Sequence, residues 1–286
     1  MGLLHRLAQQ AHTLGLSHLP ASLRPPRRTH LYCVGTAKSG TNSIEALFGN
    51  ALRAHHEAES EQAIETILKL DAGEISDADL REYLRRRDRR LSLEIDSSQL
   101  NYFFLEALLD LFPESRFILT LRDPYSWVDS FINHQLSRSA PHKWPLLRDL
   151  RFRAHALTHP PEEAALKERD LYTLDGYLSY WTAHNRTVLD TVPANRLLVV
   201  RTHEISERTP EIAAFAGVPA TAANRHRSHA NKAKRRLHVL KQIDVVHLHR
   251  KVEAHCGPLL REYFPHVSEP TDALAYLPSL PATTRS

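Results

Sequence analysis

The sequence predicts an α/β protein, a three-layer α/β/α arrangement around a central, mainly parallel sheet. Three observations carry that expectation. Short apolar runs at Leu31–Val34, Arg116–Leu121 and Arg196–Arg201 alternate with stretches of helical periodicity. The first run crosses a small glycine-flanked turn directly into a helical pattern, Ile44, Leu47, Phe48, Ala51 and Leu52. The most distinctive polar residues fall just after such runs, at strand ends, where open parallel sheets collect their ligands.

Strand one and its helix run from about Leu31 to Arg53, and Ala54–Glu59 follows as a short strand or loop edge. Glu61–Leu70 reads as a helix stopped by Gly73. Ser76-Asp77-Ala78-Asp79 caps the next helix, which ends in Arg85-Arg86-Arg87. Those cations suit a helix C-terminus and read as a solvated face. Leu91–Ile95 alternates as a strand and would bring Glu94 and Asp96 to its end. A helix over Gln99–Leu111 is closed by Phe112-Pro113. Arg116–Leu121 is a buried strand that delivers Arg122-Asp123-Pro124, and Pro124 opens a helix over Tyr125–Leu136, a position that tolerates proline. From Ser137 to Asp170 prolines punctuate a basic stretch with short helices. Leu171–Val192 is the longest helix, Arg196–Arg201 the last strand and Pro210–Phe215 a following helix. A basic stretch, Asn224–Arg236, precedes C-terminal helices from Leu237 to Phe264. The domain reading is an N-terminal helix and linker at 1–28, a single α/β domain at 29–265 with an excursion at 138–171, and an irregular tail at 266–286.

The chain has 286 residues, enough to bury about three quarters of its unfolded surface in one large core. Two cysteines, Cys33 and Cys256, exclude a disulfide framework and suit a reducing compartment. Cys33 sits inside the first strand as a small apolar residue. A net charge of +4 fits an anionic small ligand. Interleaved aromatic and basic residues of the single-strand-binding kind are missing, so no nucleic-acid partner is expected. No apolar run reaches about 18 residues, which argues against a transmembrane anchor. Leu3, Leu4, Leu7, Ala8, Ala11 and Leu14 form a helical stripe without the core and cleavage site of a signal peptide, and a cytoplasmic location is expected. Nineteen histidines are scattered, and neither His55-His56 nor His247-Leu248-His249 has zinc-type spacing, so no metal is expected. Asn185-Arg186-Thr187 fits a glycosylation acceptor by chance, in mid-helix.

Gly35-Thr36-Ala37-Lys38-Ser39-Gly40-Thr41-Asn42-Ser43 forms a P-loop-like strand–turn–helix. That geometry aims backbone N–H groups and a positive helix N-terminus at an anion, and Lys38 adds a fixed cation. A nucleotide triphosphatase loop places lysine directly after its second glycine. Here Thr41 follows Gly40 and the lysine comes earlier, and no apolar run ends in the aspartate of a magnesium site. The turn suits an anion but is the wrong variant for ATP hydrolysis.

Gly35–Thr41 resembles the 5′-phosphosulfate loop of sulfotransferases that use 3′-phosphoadenosine 5′-phosphosulfate (PAPS). Arg122-Asp123-Pro124, with Ser130 eight residues after Arg122, resembles that family's 3′-phosphate motif. The resemblance covers Thr29–Phe264 and is sharp in these two motifs. Ser228-His229-Ala230-Asn231-Lys232 resembles the family's late basic loop that closes over the nucleotide, without its glycine-rich form.

The resemblance implies PAPS as donor and 3′-phosphoadenosine 5′-phosphate (PAP) as product. It implies contacts from Lys38, Ser39, Gly40, Thr41, Asn42, Ser43, Arg122, Ser130, Asn231 and Lys232, with Lys38 catalytic at the leaving oxygen. The acceptor is a hydroxyl or amine of a small molecule or glycan. Its base is Glu57, where glycan-type members place a carboxylate, with Glu94, Asp96 or a nearby histidine as alternatives. The 138–171 excursion carries Arg138, His142, Lys143, Trp144, Arg148, Arg151 and Arg153. It reads as an acceptor-side lid for an anionic acceptor or as a solvated basic surface. A P-loop kinase or hydrolase with an atypical loop, and an inactive nucleotide-binding scaffold, are the competing classes.

Overall fold

The computed structural model describes residues 25–141, 143–227 and 237–269. Its helices are α1 Thr41–Phe48, α2 Ser60–Asp71, α3 Asp77–Leu91, α4 Leu105–Leu111, α5 Pro124–Ser137, α6 Trp144–Arg151, α7 Ala164–Lys167, α8 Leu174–Thr191, α9 Thr209–Phe215 and α10 Val245–Tyr263. The strands are β1 Leu31–Cys33, β2 Ala54–His56, β3 Ile95–Ser97, β4 Arg116–Leu121 and β5 Leu197–Arg201. The chain forms two compact units. One takes the described residues of Met1–Leu121, Pro141–Leu147 and His184–Lys232, and the other those of Arg122–Ala140, Arg148–Ala183 and Ala233–Ser286.

The first unit holds a five-stranded sheet in the order β2-β3-β1-β4-β5, parallel throughout. β1 lies in the middle, so all three of its residues are buried. Alternation sends Leu31 and Cys33 to one face, with Ile95, Ile118 and Val200, against Ile44, Leu47 and Phe48 of α1. Tyr32 turns to the other face and stacks on Phe117 at 5.5 Å between ring centres. α3 begins with the Ser76–Asp79 capping box that the sequence signals.

Three expectations change here. α3 runs to Leu91, and Ser92 ends it in the left-handed region at φ 50°. The strand therefore starts at Ile95, and Glu94 lies before it rather than at its carboxyl end. The Glu94 carboxylate is buried and accepts from Arg28 N (3.0 Å), Arg28 Nε (2.9 Å) and Arg53 N (2.8 Å). Residues assigned to the linker are thus tied to this unit, and Arg27 likewise pairs with Asp88 at 2.7 Å. Arg85 and Arg86 are solvated, but Arg87 is buried, bonded to Asp96 and to Ala58 O (3.0 Å).

In the second unit Asp123 caps α5, accepting Ser126 N at 2.8 Å, and Pro124 occupies the first helical turn. Trp127, Phe131, Phe152 and Tyr177 are buried together around edge-on and tilted ring contacts, and Trp181 is buried as well. Asp175 on α8 holds Lys251 (2.6 Å) and His255 (2.7 Å) of α10. Among the described residues no helix is long and apolar enough to cross a membrane. Nor does any group of His, Cys, Asp and Glu among them have the arrangement of a metal site.

Candidate active site

The cradle follows β1 and is braced by later parts of the same unit. Gly35 lies so close to β4 that a Cβ there would stand 2.0 Å from Thr120 Oγ1 and 2.7 Å from Thr120 O. Gly40, at φ 118°, is the N-cap of α1, where a Cβ would also meet Ile205 Cδ1 at 2.6 Å. Lys38 stands between them at φ 67°, a left-handed conformation that costs a non-glycine residue roughly 1 kcal/mol. The sequence puts a lysine where glycine would be easier, and strain of this kind collects at functional positions.

The polar groups of the turn divide in two. Ser39 is spent on the turn itself: its hydroxyl donates to Thr36 O (2.6 Å) and meets Thr120 Oγ1 (2.9 Å), and its amide donates to Thr36 O (3.2 Å). Thr202 Oγ1 is shared between Ser39 O and Leu121 O. The Ser43 amide returns to Gly40 O at 2.8 Å. The Ser39 and Ser43 amides are thus taken up within the turn, and Gly40, Thr41 and Asn42 stand at the start of α1, where backbone N–H groups point out of the helix. Thr36 Oγ1 is buried and makes no hydrogen bond among the described residues. Lysine, opening amides and an unsatisfied hydroxyl in one bend fit a tetrahedral oxyanion.

Glu57 follows β2 at the same edge of the sheet, two strands over, about 10 Å along it. It too is left-handed, at φ 54°. Its amide donates to Ser97 O (3.0 Å), and Gln99 Nε2 donates to its Oε1 (2.6 Å), so both backbone and carboxylate are held. His56 Nε2 lies 3.1 Å from Thr41 Oγ1. Asp96 has a different setting: it is buried in mid-strand against Arg87, whose guanidinium is held above its ordinary range. Burial alone would lower that value, but the Asp96 charge and hydrogen bond outweigh it. Asp96 and Glu94 are bound up in structural ion pairs, whereas Glu57 and His56 stand at the strand ends.

The second motif is built in the other unit. Arg122, the residue after β4, donates from Nε to Ser126 Oγ at 3.0 Å, and its carbonyl accepts Trp181 Nε1 at 3.0 Å. Ser126 Oγ in turn donates to Asp123. Ser130 is one turn further along α5 than Ser126 and shares its helical face. Asn231 and Lys232 lie outside the described residues.

The profile of the family described as "Sulfotransferase domain" matches residues 31–235, a span that includes the cradle, Glu57 and the Arg122–Ser130 motif. The chain belongs to the sulfotransferase family. Among curated relatives, Ava biosynthesis cluster protein M of Aspergillus versicolor is 33% identical over 104 residues, 34% of this chain. That match spans 40% of the relative's length. Among solved structures, a sulfotransferase from Mycobacterium avium aligns with 91% of this chain and 82% of its own at 16% identity and a TM-score of 0.47. One from Alicyclobacillus acidocaldarius aligns with 82% of this chain and 93% of its own, at 16% identity and a TM-score of 0.43.

Several residues of this sulfotransferase-family site escape sequence reasoning because they come from distant segments. Thr120 and Thr202 close the turn from β4 and from just beyond β5. His184 Nε2 lies 2.6 Å from Val34 O, and its ring stacks on Tyr102 at 4.0 Å between centres. Gln99 holds Glu57, and only the shortness of the connection after β3 hints at that.

Proposed function

We propose that the chain transfers the sulfuryl group of PAPS to a hydroxyl or amine of a small-molecule or glycan acceptor. The observation that carries this reading is the cradle, with Lys38 strained between Gly35 and Gly40 in a chain of the sulfotransferase family. By analogy with phosphoryl transfer, the reaction is an in-line displacement. Glu57 takes the acceptor proton as the acceptor's oxygen or nitrogen bonds to sulfur. The bond from sulfur to the bridging oxygen breaks, and its electron pair stays on that oxygen in PAP. Lys38 and the amides of Gly40, Thr41 and Asn42 stabilise the charge that develops there, with the hydroxyls of Thr41 and Ser43 as further donors. Arg122 supplies a charge-assisted contact to the 3′-phosphate, with Ser130 as donor. Asn231 and Lys232 complete the nucleotide contacts by resemblance.

The experiment is a thermal-shift comparison. PAP should stabilise the chain and ATP–magnesium should not, and the reverse would select a kinase or hydrolase. Binding of PAP without turnover of labelled PAPS over a panel of acceptors would select a scaffold. Arg122→Ala should weaken PAP at least tenfold more than adenosine 5′-phosphosulfate, which lacks the 3′-phosphate, because about 1.5–3 kcal/mol of charged hydrogen bonding is at stake. Equal losses for the two ligands would remove Arg122 from that role.

A further inference from the structure

The first unit contains a fully buried histidine that no local signal explains. His184 stands on the part of α8 that belongs to this unit. Its Nε2 lies 2.6 Å from Val34 O, and a carbonyl oxygen can only accept, so Nε2 carries a proton and donates it. Val34 is the first residue past the paired stretch of β1, which ends at Cys33. Its amide still donates to β4, at Ile118 O (2.9 Å). Its carbonyl is held instead by a side chain 150 positions away. The peptide that joins Val34 to Gly35, where the cradle begins, is thus fixed from α8.

The same imidazole has a second task. It stacks on Tyr102, 4.0 Å between ring centres and 17° from parallel. Tyr102 belongs to a short 3-10 helix, Gln99–Phe104, which Ser98 caps at Leu100 N (3.1 Å) and Asn101 ties to Asp96 O (3.0 Å). At about three residues per turn, Gln99 and Tyr102 share one face of that helix. Gln99 is the residue that donates to Glu57 Oε1 at 2.6 Å. One ring therefore meets the exit of β1 with its edge and, with its face, the turn that holds Glu57.

We propose that His184 is a positioning residue shared by both halves of the site. Its N–H sets the peptide from which the cradle departs, and its ring backs the turn that aims Glu57. It acts through Val34 and Tyr102, not on the reacting atoms, and its place in catalysis rests on the sulfuryl-transfer reading.

Two substitutions separate the halves. The amide nitrogen of glutamine reaches about as far as imidazole Nε2, so His184→Gln keeps the donor and loses the ring. His184→Phe keeps a ring for Tyr102 and leaves the buried Val34 carbonyl without its donor. Amide hydrogen exchange of the full chain reads both without any ligand. His184→Phe should speed exchange about tenfold or more at Ser39 and Ser43, whose amides close the cradle turn, and leave Glu57 and Asn101 unchanged. His184→Gln should do the reverse. PAP affinity should fall about tenfold in His184→Phe and stay within about threefold of the parent in His184→Gln. Equal acceleration of both sets of amides in both variants would reduce His184 to a packing residue. That result, no acceleration in either variant, or an equal loss of PAP affinity in the two would overturn the proposal. Failure of the parent chain to bind PAP would count against the sulfuryl-transfer reading alone, and the exchange pattern would still decide this one.

Discussion

Replacing Glu94 with alanine should be among the most destabilising single changes in the first unit. Its carboxylate is fully buried, and Arg28 and Arg53 surround it. The two cations are unequal. The Arg53 side chain is 8% exposed and that of Arg28 56%. Burial pushes the Glu94 carboxyl upward, but hydrogen bonds from Arg28 and from the Arg53 amide win and hold it below its ordinary range. Glu94→Ala leaves the Arg53 guanidinium buried with no carboxylate partner among the described residues, and its amide loses its acceptor. Breaking a buried pair in this way costs about 3–5 kcal/mol. Arg28→Ala removes a solvent-screened partner and should cost about 0.2–1 kcal/mol. With a urea slope of about 2–3 kcal/mol per M, the midpoint should fall by roughly 1–2.5 M for Glu94→Ala and by less than about 0.5 M for Arg28→Ala. Far-UV circular dichroism in urea reads both. Equal shifts, or a shift below about 0.5 M for Glu94→Ala, would refute the view that burial decides the magnitude.

Lys38→Gly should raise stability by about 1 kcal/mol through relief of the left-handed lysine, yet cut kcat about 10²–10³-fold; a stable and active variant would remove Lys38 from the chemistry. Glu57→Gln keeps an oxygen for the Gln99 hydrogen bond, so PAP affinity should persist while kcat falls about 10²–10⁴-fold, as steady-state kinetics beside PAP titration will show. Asp175 carries a pH signature. Burial raises its carboxyl, but Lys251 and His255 hold it below its ordinary value of 3.8. A depressed carboxyl stabilises above the unfolded value and loses that contribution as pH falls below about 4. Asp175→Asn should therefore flatten the acid limb of a Tm-against-pH curve below pH 4, and an unchanged limb would contradict the assignment.

Legibility in the sequence followed the range of the interactions. β4 and α5 were readable because an unbroken apolar run, an N-capping aspartate and a proline at the helix start are local signals. The cradle was readable for the same reason, since its glycines and lysine lie within six residues of one another. The strand placed at Leu91–Ile95 was wrong because tertiary packing carries α3 through Leu91, and Ser92 supplies a left-handed stop that composition does not announce. Arg87 looked solvated beside Arg85 and Arg86. Its partner Asp96 is nine positions away on a strand, and only the fold brings them together. Arg28 and Glu94 are 66 positions apart, so no window of local sequence could have tied the supposed linker to the sheet.

The strand order also sets a timetable for synthesis. β1 ends at Cys33, but the strands that flank it begin at Ile95 and Arg116. At about 5–20 residues per second, a ribosome needs roughly 4–17 s after β1 before β4 starts to appear. Thr202 and Ile205, which brace the cradle, come later still. The loop after β1 is therefore made well before the residues that brace it, and the nascent chain carries it unbraced until Ile205 has been added.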